Sequence, residues 1–144
     1  MRFFFYGTLL DGSDNPVAQA IHALLEPEGP AMAKGSLHAL PDPAGWFPAL
    51  LPGNGPVHGK TYRARAGFSA ADLAQMDAYE DYDPAAPDAS LYIRAELALA
   101  GGGMAQAYLF NRPLPPESQP IAHGDFRRWL AETGQAQFTG LREA

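Results

Sequence analysis

The residues best placed to do chemistry form one acidic knot, Met76-Asp77-Ala78-Tyr79-Glu80-Asp81-Tyr82-Asp83. Asp77 and Glu80 lie three apart, so on a helix they share one face, with the Met76 side turned toward a core. Glu80 falls where that helix should end, at the negative pole of the backbone dipoles. Asp81 and Asp83 add like charge beside it. Each of these effects is expected to raise the pKa of Glu80 toward the range of a general base near neutral pH. The alternative is a solvated acidic helix end with no chemical role.

A second stretch offers backbone rather than side-chain chemistry. Arg2 to Tyr6 is a nearly continuous aromatic run that stops at Gly7-Thr8. A short apolar run ended by glycine predicts a strand buried on both faces. Where such a strand breaks, successive amides lose their ladder partners, and glycine lets a ligand approach. Successive free amides there can hold an anion or a developing oxyanion. An ordinary turn after a buried strand is the competing reading.

Other chemistries find little support. The histidines at 22, 38, 58 and 123 show no metal-ligand spacing such as i, i+4, and no metal site is expected. His22 lies off its helix's apolar stripe and reads as solvated. Cysteine is absent, which excludes disulfides, thiolate catalysis and Cys-based zinc. Gly59-Lys60-Thr61 imitates the end of a phosphate loop, but position 54 is Asn54 where that motif needs glycine, and a strand pattern follows. A net charge of −6 argues against nucleic acid and anionic membrane as partners. No apolar stretch is long enough to span a bilayer. Arg2 before an apolar run faintly resembles a signal peptide, but no small-residue cleavage site follows, so the cytosol is the expected location.

The elements that must position these residues can be read in order. Asp14-Asn15-Pro16 offers an N-cap to a helix whose apolar stripe is Val17, Ala20, Ile21, Leu24 and Leu25. Residues 31–40 read as a strand with Gly35 at a bulge or close approach. Trp46 to Leu51, bracketed by prolines, reads as an edge strand or covering loop. Residues 57–65 read as another strand. Ser69 and Asp72 make a capping box, with Phe68 stapled onto Leu73, for a helix ending near Tyr79-Glu80. Ser90 to Leu99 alternates, with Leu91, Ile93, Ala95, Leu97 and Leu99 expected to face the core. Gly101-Gly102-Gly103 turns it into a hairpin with residues 104–110. A short helix from about Gly124 to Gly134 follows, and the last ten residues read as a loose tail. With 144 residues, 47% of them apolar, and with 15 glycines and 14 prolines, one domain with short strands and many turns is expected. The pattern predicts an α+β class: a small, mixed, curved or barrel-like sheet with a few flanking helices.

Taken in order, Tyr6-Gly7-Thr8-Leu9, Phe47-Pro48-Ala49-Leu50, Val57-His58-Gly59-Lys60-Thr61-Tyr62, Met76-Asp77-Ala78-Tyr79-Glu80, Ser90-Leu91-Tyr92-Ile93-Arg94 and Ala107-Tyr108 resemble the gamma-glutamylcyclotransferase family, and within it the AIG2-like branch. The resemblance spans roughly residues 1–110. The sequence departs from a common form of the pattern at Asp81, where glycine often follows the glutamate. The resemblance implies a barrel-like fold over residues 1–144 and a cofactor-free reaction on a small γ-glutamyl molecule. In that reaction a γ-glutamyl-amino acid or γ-glutamylamine closes to 5-oxoproline and releases its amine. It further implies that Glu80 is the general acid/base and that Gly7, Thr8 and Leu9 hold the carboxylate or oxyanion. Tyr6 and Tyr108 would line the pocket, and Tyr92 or Arg94 would shape it. A non-catalytic protein that binds a small ligand in the same pocket is the alternative.

Overall fold

The computed structural model describes residues 1–7 and 16–138. The aromatic run forms strand β1, Arg2–Phe5. Its alternation divides the aromatics between two cores. Phe3 and Phe5 enter one with Tyr62, Met76, Tyr92 and Tyr108. Phe4 and Tyr6 enter the other with Leu37, Leu50, Val57 and Trp129. Phe3, Phe4 and Phe5 are all but sealed from solvent, so β1 is covered on both faces, as the unbroken apolar run predicts.

Helix α1, Pro16–His22, is followed by strands β2, Leu25–Asp42, and β3, Gly45–Ala64, which form one long antiparallel hairpin. Helix α2, Ala70–Tyr79, leads to a 3-10 turn at Pro87–Ala89. Strands β4, Tyr92–Ala98, and β5, Met104–Phe110, make a second hairpin. Strand β6, Gln119–Pro120, and helix α3, Phe126–Thr133, complete the described elements.

The six strands form one mixed sheet in the order β4-β5-β1-β3-β2-β6, with β1 antiparallel to β3 and parallel to β5. The sheet curls into a half-barrel. Three strands separate β2 from β4, yet Ala33 bridges Leu99 and the Ala100 amide donates to the Met32 carbonyl at 2.8 Å. The predicted irregularity at Gly35 is a register shift between Gly35 and Ser36. A Cβ on Gly35 would lie 2.5 Å from Leu50 Cδ1, so close packing as well as the bulge requires glycine.

Several expectations need correction. Trp46 to Leu51 is the first half of β3, continuous with residues 57–64, and not a separate piece. Within β3, strand β1 pairs only with Lys60–Arg63, so around Pro48 the ladder runs on the β2 side, which is why proline is tolerated there. His22 is half-buried against Phe5 and Tyr62, with ring centroids 5.9 and 4.9 Å away, and is not solvated. Helix α1 stops at His22 because Leu25 already begins β2; its expected cap at Asp14-Asn15 lies outside the described residues. In β4 the face expected to be polar carries fully buried Tyr92, while Ile93 is half-buried and belongs to neither core. Residues 135–138 are not a loose tail. Trp46 donates its amide to the Ala136 carbonyl at 2.8 Å and accepts the Phe138 amide at 2.7 Å.

Candidate functional site

Helix α2 starts where its capping box places it. Ser69 Oγ accepts the Asp72 amide at 3.2 Å, and Asp72 Oδ2 accepts the Ser69 amide at 2.9 Å. The helix ends on Glu80, its C-cap, and Asp81 turns the chain away with φ of +54°. That is the left-handed region, which aspartate tolerates better than most side chains and glycine best. The departure at Asp81 therefore keeps the turn that a glycine would make.

The acidic helix end is buried. Asp77 is 3% exposed and Glu80 5%. A solvated helix end would leave both in water, so that alternative fails. Asp77 Oδ1 accepts the Tyr108 hydroxyl at 2.7 Å and the Arg94 Nε–H at 2.9 Å. Arg94 also donates from Nη1 to Gln106 Oε1 at 2.9 Å. Burial, the Asp77 charge and hydrogen bond, and the Glu80 charge all push the Tyr108 hydroxyl far above the ordinary tyrosine range, with Arg94 opposing them. Tyr108 thus stays neutral at every physiological pH, as a donor to Asp77, and the Glu80 carboxylate lies within electrostatic reach of it.

The end of β1 joins the same group. Tyr6 donates its hydroxyl to the backbone carbonyl of Tyr108. Gly7, the next residue, is buried, and a Cβ there would fall 2.1 Å from Pro48 Cγ. The Pro48 carbonyl in turn accepts the Tyr92 hydroxyl at 2.6 Å. Tyr6, Gly7, Tyr92, Arg94 and Tyr108 are therefore linked through a few contacts to the Asp77–Glu80 end of α2. Thr8 and Leu9 lie outside the described residues.

Two participants were not foreseen. Asp77 was read only as a face-mate of Glu80, but it ties α2 to β4 and β5; its i, i+3 spacing was the available signal. Pro48 wedges against Gly7, a contact between distant strands that no local pattern announces. Among the described residues, no group of three or more His, Asp or Glu is arranged to hold a metal ion. His38 Nε2 lies 2.9 Å from Ser36 Oγ, and His123 Nε2 lies 2.8 Å from Glu132 Oε1.

Residues 3–128 match the family described as gamma-glutamyl cyclotransferase, AIG2-like. The chain belongs to this family. Among solved structures it is similar to an AIG2-like protein from Mus musculus, with 22% identity, 87% of this chain and 86% of that one covered, and a TM-score of 0.59. It is also similar to protein ytfP from Escherichia coli, with 26% identity, 88% and 96% covered, and a TM-score of 0.58. An uncharacterized protein from Pyrococcus horikoshii shares the fold at 16% identity, with 93% and 96% covered and a TM-score of 0.65. Among curated proteins no sequence match is found. Membership in the family accounts for the half-barrel sheet and for the order of the motifs along the chain.

Proposed function

We propose that the chain is a cofactor-free γ-glutamylcyclotransferase acting on a γ-glutamyl-amino acid or γ-glutamylamine, with Glu80 as its general acid/base. The observation that carries this reading is the near-complete burial of Glu80, a carboxylate at a helix C-terminus, in a member of this family. A carboxylate is not held out of water at the negative end of a helix for stability alone.

In the proposed reaction Glu80 takes a proton from the substrate α-ammonium. The freed amine attacks its own δ-carbonyl carbon, forming the ring C–N bond and a tetrahedral oxyanion. Glu80 then returns the proton to the departing nitrogen as the original amide C–N bond breaks, and the surplus proton on the ring nitrogen passes to the released amine, which leaves as an ammonium. 5-Oxoproline and an amine leave, and neither water nor a second reactant is consumed. Ring closure is intramolecular, so holding the γ-glutamyl group in a reactive conformation can supply much of the rate. Amides of Gly7, Thr8 and Leu9 hold the oxyanion or carboxylate in this scheme. Tyr6 and Tyr108 line the site. Arg94 acts through Asp77, and Tyr92 acts through Pro48 behind Gly7. The reaction would run in the cytosol within a single domain of residues 1–144, without nucleic acid or membrane. No described helix is long and apolar enough to cross a membrane.

The test is a panel of γ-glutamyl-amino acids and γ-glutamylamines, read as 5-oxoproline release. Turnover of one class identifies the leaving group. Saturable binding without release across the panel would instead leave a non-catalytic ligand-binding protein.

A further inference from the structure

A pocket of about 690 Å³ opens between α2 and the loop that follows it. Ala70, Leu73, Ala74 and Ala78 recur at helical spacing and give it a small-residue apolar wall. Across from them stand Ala86 and Ala89. That second wall is braced from behind. Ser90 Oγ donates to the Ala86 carbonyl at 3.1 Å and accepts the Asp83 amide at 2.8 Å. Arg112 reaches the carbonyls of Ala89 and Ser90 at 2.6 and 2.7 Å, and Asn111 reaches that of Pro87 at 2.9 Å. The pocket is therefore preformed, the condition under which binding costs least ordering.

Its polar lining is unequal. Asp77 and Arg94 lie in the wall as an ion pair, with opposed charges. Both bonds to Asp77 fall on Oδ1, and among the described residues Oδ2 has no partner. Asp77 is among the residues that line the pocket, and Oδ2 is the carboxylate oxygen it has left for a ligand. Asp81 also lines it, and its carboxylate has no partner among the described residues. Asp83 is the third carboxylate, accepting the Ala85 amide at 2.9 Å. One cation thus faces three anions between apolar walls. An anionic ligand is repelled. A purely apolar one strips water from Oδ2 and returns nothing.

We propose that this pocket binds a small organic cation, a primary ammonium on a branched hydrocarbon body, with the ammonium set against the Asp77 and Asp81 carboxylates. The hydrocarbon replaces water along the alanine and leucine wall, while the charge, in a medium less polarisable than bulk water, gains more than it would at an open surface. Such binding requires nothing of Glu80 and stands whether or not the protein turns over a γ-glutamyl compound.

The experiment is an amide-detected NMR titration of the full chain with isoamylammonium chloride, and with isoamyl alcohol as the uncharged counterpart. Isoamylammonium should give saturable shifts centred on Ala74, Ala78, Ala86 and Ala89, and should bind at least about tenfold more tightly than the alcohol. Asp81→Asn, which keeps the turn, should weaken the ammonium by about fivefold or more. Ala74→Phe fills the pocket from an exposed helix position and should abolish the shifts while the rest of the spectrum is preserved. Glu80→Gln should bind as the wild type does. Absence of saturable shifts, equal affinity for the alcohol, or undiminished binding in both Asp81→Asn and Ala74→Phe would overturn the proposal.

Discussion

Arg94 and Tyr108 face each other across β4 and β5 and end on the same atom, Asp77 Oδ1. A single carboxylate oxygen therefore joins a helix to two strands, three residues before the proposed catalytic Glu80. This arrangement fits two separate roles that the acidic knot merges in sequence: Asp77 positions, and Glu80, in the proposed reaction, transfers the proton.

The separation is testable by paired substitution. Glu80→Gln keeps size and polarity but cannot shuttle a proton, so 5-oxoproline release should fall by at least about 100-fold with the fold retained. Asp77→Asn leaves Arg94 facing a neutral amide and should cost about 2–3 kcal/mol in denaturant melts. Full turnover in Glu80→Gln, with none in a folded Asp77→Asn, would reverse the assignment.

At Gly7 the constraint comes from Pro48. Gly7→Ala should already destabilise by about 1–3 kcal/mol, because its Cβ needs space that Pro48 Cγ occupies. Unfolding midpoints equal to wild type would show that the β1 end can shift aside. Ligand affinity measured on the folded fraction would then report the backbone alone.

On β4 the most deeply buried side chain, Tyr92, lies on the face that alternation assigned to solvent. Tyr92→Ala should cost about 3–5 kcal/mol, as truncation of a fully buried aromatic does. Ile93→Ala, half-buried and outside both cores, should cost less than about 2 kcal/mol. Chemical denaturation of the two variants side by side checks the order.

Acid should weaken the surface cluster around Glu28. Hydrogen bonds from Arg2, then Arg63, hold the Glu28 carboxyl below its ordinary 4.5 against the opposing effect of desolvation. The folded state thus favours the ionised form. Its contribution is complete above pH 4.5 and is lost as the pH falls through the folded value. Thermal melts of Glu28→Gln should converge on wild type as the pH is lowered, and added salt should narrow the gap at neutral pH. A gap independent of pH would mean that the pairing contributes nothing electrostatic.

Local chemistry was the legible part of this chain. The Ser69–Asp72 box, the glycine hairpin at 101–103 and the Asp125-to-Gly134 helix all appear where short-range rules put them, because each is decided within a few residues. The buried β1 was legible because its apolar run lacked any polar face. On β4 the alternation rightly set Leu91, Leu97 and Leu99 against the cores, but the burial of Tyr92 on the other face was not legible, since it reads as amphipathic until Pro48 is found waiting for its hydroxyl. The hub at Asp77 was half legible. Spacing put it beside Glu80, but its partners Arg94 and Tyr108 lie 17 and 31 residues away. Proline made Trp46 to Leu51 look like an interruption. Only the limited reach of β1 explains why the strand survives there.

The place of β1 inside the sheet sets a schedule for biosynthesis. Its aromatic residues leave the ribosome well before their partners, for Phe3 pairs with Gln106 on one side and Tyr62 on the other. At about 5–20 residues per second, the nascent chain carries the Phe-Phe-Phe segment without its β5 partner for about 5–20 seconds. Enclosure of β1 thus waits on β5, a strand made about a hundred residues later. A cell making this protein must keep that segment from other chains until residue 110 has emerged.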